Sequence, residues 1–197
     1  MSETSCHLVG TMRPTGEEST RQNYGVELRN TFESNKEELF WIAEIITGSR
    51  ETAGQSLEEA MELAERAQYV GREWVLPWVK RLLVHAALKR IGAEIRSELL
   101  STNHSHKPAG LIGLGLREPG LEKLRAISAE RIIASCDAPE RACFILFAYL
   151  RYPMLDCALL LGSAPASIEL ICLRAIAKLF VTNGFLPEPR MRNWLQL

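Results

Sequence analysis

No apolar run in this 197-residue chain approaches the about 20 residues that cross a bilayer, which excludes a single membrane-spanning helix. A basic-then-apolar leader is missing from MSETSCHLVGTMRPTGEEST, so a cytoplasmic protein without a membrane partner is expected. The five cysteines, Cys6, Cys136, Cys143, Cys157 and Cys172, are odd in number and never form C-x-x-C, which argues against a disulfide framework. The last four stand in apolar helical context, where a free thiol acts as a small hydrophobe. A strong charge of one sign is also missing. A net charge of −1 leaves no bulk positive charge to coat nucleic acid, although a local basic stripe is compatible with it. Sustained period-two alternation is absent, so strands are not expected. What is present is 47% hydrophobic and 24% charged residues, the balance of a packed globular chain.

Helical periodicity organises the rest. Residues 1–30 are polar and aperiodic, and a disordered tail is expected there. Leu39, Phe40, Ile42, Ala43, Ile45 and Ile46 form a stripe that ends at Thr47-Gly48, where glycine suits a C-cap. Ser49 is placed to cap a second helix, in which Ala53, Leu57, Ala60, Met61 and Ala64 recur at three and four. A third helix begins near Glu73, with Pro77 in its first turn and Trp78, Leu82, Leu83, Ala86 and Ile91 inward. The Gly-, Pro-, Ser- and His-rich stretch 101–120 reads as a linker. Beyond it, helices are expected over Leu121–Ser135, from Pro139 through Leu150, over Pro153–Leu161, and over Ala166–Phe180, with a tail at 183–197. The fold class is all-α: two small helical domains, 31–100 and 121–182, joined by a flexible linker.

Pro153 to Leu179 is a short helix, a glycine turn at Gly162 and a longer helix that Ser167 is placed to cap. This is the helix-turn-helix layout, whose second helix can enter the DNA major groove. The segment resembles the C-terminal domain of extracytoplasmic-function sigma factors, the small bacterial initiation factors of RNA polymerase. The matching residues are Pro139-Glu140-Arg141, Phe144-Ile145-Leu146, Asp156-Cys157-Ala158, Leu161-Gly162, Ser167-Ile168, Arg174-Ala175 and Lys178-Leu179. The first half is similar to the same family more loosely, through Phe40–Ile46, Gly48–Ala53, Leu57–Ala60 and the basic Pro77–Ile91.

The resemblance implies a transcription protein without enzymatic activity or cofactor. RNA polymerase core would dock on Arg50, Glu51, Gln55, Glu58, Glu59 and Glu62. Promoter DNA would meet Lys80, Arg81, Lys89 and Arg90 of the first half and Ser167, Glu169, Leu170, Ile171, Arg174 and Lys178 of the second. Trp74 and Trp78, beside the basic stripe, could stack on opened bases or pack in the core. An anti-sigma or other regulatory protein is a further candidate partner. In the family the second helix of the motif carries Lys and Arg where this chain has Glu169, Leu170, Ile171 and Ile176. The alternative is therefore a degenerate sigma-like protein that binds protein without reading a promoter. Metal and catalysis are not expected. His104 and His106 lack a third donor, no P-loop or nucleophile motif occurs, and adjacent pairs such as Glu37-Glu38 point to different helix faces.

Overall fold

The computed structural model describes residues 16–67, 72–101 and 126–184, all of whose regular elements are helical. The order is α1 (Gly16–Ser34), α2 (Lys36–Thr47), α3 (Arg50–Arg66), a 3-10 turn at Arg72–Trp74, and α4 (Val75–Ser101). From residue 126 on come α5 (Ala129–Ser135), α6 (Ala138–Cys143), a π-helical turn (Phe144–Tyr149), α7 (Met154–Leu161) and α8 (Pro165–Thr182). The all-α class is thus the observed one. Among the described residues no single helix is long and apolar enough to cross a membrane.

Local chemistry explains most boundaries. At the end of α2, Gly48 takes the left-handed conformation (φ 70°) and its N–H donates to Glu44 O at 2.8 Å, closing the helix with an αL cap. Ser49 caps α3 through its hydroxyl, which accepts from Thr52 N. Pro77 is the third residue of α4, inside the turn whose N–H groups have no helical partner, so its missing donor costs nothing there. Asp137 and Glu140 form a reciprocal capping box at α6.

Three expectations are corrected. The supposed tail contains α1, because Tyr24, Leu28 and Phe32, four residues apart, lie on one face and are buried. Ala126–Ser128 are not helical, so α5 starts at Ala129 rather than at Leu121; residues 121–125 lie outside the described ones. Ser167 caps nothing. Ala164 is the N-cap of α8, with Pro165 at its first position, and Ser167 sits exposed a turn further on.

Helices α2, α3 and α4 pack on one another, and α1 lies against α3 and α4. In the second half α6 and α7 both pack on α8. The two halves also meet: α4 touches α6 and α7, and α2 touches α5, α6 and the π-helical turn. Ile42, Ile45, Ile46 and Leu83 from the first half join Ile132, Phe144, Ile145, Leu146 and Ile168 from the second in one continuous buried cluster. Each such side chain contributes about 1.5–3 kcal/mol on burial. Residues 102–120 of the expected linker lie outside the described residues; α4 and α5 on either side share this core.

Candidate interaction surfaces

The helix-turn-helix segment is built from the turn outward. Gly162 is left-handed (φ 65°), its N–H donates to Leu159 O at 3.3 Å, and Ser163 N–H donates to Ala158 O at 3.1 Å. That pair of bonds is a Schellman motif, which ends α7 and frees the chain to turn. Helices α7 and α8 are bent by 100° relative to each other, within the about 90–120° of helix-turn-helix units.

The outward face of α8 differs from the expectation. Ile171 is 5% exposed and belongs to the core with Ile168, Cys172, Ala175, Ile176 and Leu179, so it is not available to a groove. Glu169 and Leu170 are half-buried. Arg174 and Lys178 are taken up by Glu140 of α6, whose side chain is wholly buried. Arg174 reaches Glu140 Oε1 with Nε at 3.1 Å and Nη2 at 2.8 Å, and lies 3.4 Å from Asp137 Oδ2. Lys178 Nζ donates to Glu140 Oε2 at 2.6 Å. Moving either cation onto a phosphate would leave a buried carboxylate short of charge, a defect worth about 3–5 kcal/mol when a partner is lost outright.

The basic stripe of α4 is similarly engaged. Lys80 Nζ is 2.6 Å from Glu38 Oε1, which also accepts from Tyr149 Oη at 2.7 Å. These three side chains, with Leu76, Pro77, Leu150 and Tyr152, line a cleft of about 390 Å³ where the halves meet. Lys89 and Arg90 share Glu59, at 2.7 and 2.9 Å, and Arg90 also donates to Gln55 O at 3.1 Å. The Lys89 ammonium bonded to Glu59 holds that carboxyl below its ordinary range. Arg81 is exposed. Trp74 is 62% exposed, whereas Trp78 is half-buried and packs against the core.

Helix α3 presents the expected polymerase-facing residues in a different light. Glu51, Gln55, Glu58 and Glu62, at intervals of four, three and four, are all exposed and share one face. Glu59 lies beside them but turns toward α4. Arg50, at the start of α3, is exposed, 5.5 Å above the Phe40 ring and 3.7 Å from Glu44. The arrangement is an exposed acidic face, on which Glu62 pairs with Arg66 at 3.0 Å, beside cations of α4 that are engaged by carboxylates. No family model, curated protein or solved structure matches the chain.

Sequence reasoning missed the residue that ties the halves together. Arg141, 8% exposed, donates from Nε to Ile45 O at 2.9 Å and from Nη1 to Cys136 O at 3.0 Å. It thereby places a cation on the C-terminal carbonyls of α2, where the helix dipole favours one. Gly48 leaves the room: a Cβ there would lie 2.8 Å from Arg141 Nη2. The D-x-x-E spacing of Asp137 and Glu140 was a legible cap signal, but the reach of Arg141 across 96 residues has no local signature. Among the described residues no group of three or more His, Cys, Asp and Glu could hold a metal; His104 and His106 lie outside them.

Proposed function

We propose that the protein is a sigma-factor-like transcription protein of the cytoplasm, without enzymatic activity, whose helices engage protein surfaces in preference to promoter DNA. The observation that carries this is the pairing of Lys80, Lys89, Arg90, Arg174 and Lys178 with carboxylates of the same chain. A cation held at 2.6–2.9 Å by its own acid contributes little to counterion release from DNA, the main source of non-specific affinity. Glu51 and Glu58 of α3 are exposed and, among the described residues, have no cation of the same chain on them, whereas Glu62 pairs with Arg66 at 3.0 Å; the face suits a basic protein surface such as one on RNA polymerase core. An anti-sigma or other regulatory protein is a second class of partner for such helices.

A promoter-binding role is the second reading, favoured by the 100° bend of the helix-turn-helix and by the exposed Trp74 and Arg81. One preparation tests both readings. Capture of core polymerase, lost when Glu51, Glu58 and Glu62 are changed to Lys, together with no salt-dependent DNA shift, is the result expected from the protein-binding reading. A DNA complex whose salt slope falls by up to about 0.9 per cation when Lys80, Arg81, Lys89 and Arg90 are neutralised would replace it with the promoter reading.

A further inference from the structure

Among the described residues of the second half, the exposed large hydrophobic side chains lie on α7, where Leu155 is 61%, Leu159 73% and Leu160 39% exposed. Leu155 and Leu159 are one helical turn apart and share a face. This is the first helix of the helix-turn-helix, not the outward face of α8. Between α7 and α4 runs a groove of about 360 Å³. Its floor is apolar, from Leu88 and Ile95 of α4 and Leu161 of α7, all buried, with Leu159 standing at its edge. Its polar rim is formed by His85, Lys89 and Arg96, and no carboxylate lines it. Lys89 is bonded to Glu59, so Arg96 carries the positive sign of the rim.

An apolar floor with a cationic rim is the complement of one particular shape. We propose that this groove docks an amphipathic helix of a partner protein, with leucines on one face and glutamates or aspartates flanking them. The stretch of α4 along it, from His85 to Arg96, is about 17 Å long at 1.5 Å per residue, enough for three turns of a partner helix. Leucines of such a helix would cover Leu159 and Leu160, and its acids would face Arg96. A second copy of this chain is a poorer occupant, since the apolar edge of α7 would bring the same cationic rim toward itself. The inference rests on the protein-binding reading above, but on a different surface from the acidic face of α3.

The test uses the full chain and two synthetic helices, with leucines at i, i+3, i+4 and i+7 and either glutamates or lysines at the remaining positions, followed by fluorescence anisotropy. The acidic peptide should bind at least about tenfold more tightly than the basic one, and added salt should narrow the difference. Leu159→Glu should weaken the acidic peptide by about tenfold or more, whereas Val26→Glu, at a site 61% exposed elsewhere, should not. Arg96→Glu should reverse the preference and admit the basic peptide. Equal binding of both peptides, no binding of the acidic one, or indifference to Leu159→Glu and Arg96→Glu overturns the proposal. So does a dimer dispersed by Leu159→Glu, or capture of phosphatidylserine vesicles that depends on Leu159 without peptide binding. Core polymerase captured by a protein that ignores the acidic peptide would sink the groove alone and leave the protein-binding reading standing.

Discussion

At the scale of single residues, two glycines with nearly the same backbone conformation should respond differently to one methyl group. Gly162 (φ 65°) has nothing within 4 Å of a Cβ, so Gly162→Ala meets only left-handed strain, about 1–2 kcal/mol. Gly48 (φ 70°) would meet the same strain and also drive a Cβ to 2.8 Å from Arg141 Nη2. That guanidinium is fixed by its bonds to Ile45 O and Cys136 O, so yielding would disrupt buried bonds worth about 1 kcal/mol or more each. Gly48→Ala should therefore lower stability by about 3 kcal/mol, clearly more than Gly162→Ala. Urea melts of the two variants check this, and equal losses would mean that Arg141 is not held as described.

At the scale of elements, α6 and α8 are clamped by one buried carboxylate. Glu140 is an acid for the cap of its own helix and an anion for two cations of another. Glu140→Gln keeps the shape but strips the charge that Arg174 and Lys178 share, and a loss of about 3–5 kcal/mol is expected. Arg174→Met with Lys178→Met on top of Glu140→Gln should recover part of it, because the two uncompensated cations go as well. A double-mutant-type cycle on thermal midpoints gives the measure; strict additivity would rule the clamp out. The elements also show how far periodicity reaches. The C-terminal end of α2 and the N-terminal end of α3 were legible, because glycine and serine state their capping chemistry locally. Helix α1 was missed although Tyr24, Leu28 and Phe32 recur every four residues, since so sparse a stripe is stable only with α3 and α4 to cover it.

For the whole molecule, the shared core couples groups in one half to reporters in the other. Burial pushes the thiols of Cys136 and Cys157 up to about 12, and a hydrogen bond with Cys172 together with burial raises Cys143 well above its ordinary value. All lie in the second half, and the described tryptophans, Trp41, Trp74 and Trp78, lie in the first. An unfolded thiol ionises near about 8.5. The folded pKa is raised, so the unfolded state loses protons first: these groups leave stability intact below that value and erode it as pH climbs toward about 12. Between pH about 9 and 11, tryptophan fluorescence should therefore report unfolding together with thiol exposure in one transition. Replacing Cys136, Cys143 and Cys157 by Ala or Val should move that transition to higher pH. Thiols that become reactive while the tryptophan signal stays native would show that the halves open separately.

The sequence by itself determined the helical class, the glycine and serine caps of α2 and α3, the turn at Gly162 and the acidic face of α3, because each is settled within a few residues by backbone conformation, hydrogen-bond supply or a 3.6-residue period. The tertiary structure alone decided which cations are free. Lys80, Lys89 and Arg90 look like a solvated stripe along the chain, and Arg174 and Lys178 look like groove contacts. Their acids lie 30 to 42 residues away, and only packing brings them within bonding distance. The same holds for Ile171, whose place in the core depends on the rotation of α8 against α6 and α7, and for Arg141, which joins the halves through a carbonyl 96 residues distant. Charge and polarity are local properties of a chain, whereas the pairing that makes them available or spends them is set by contacts that local sequence does not encode.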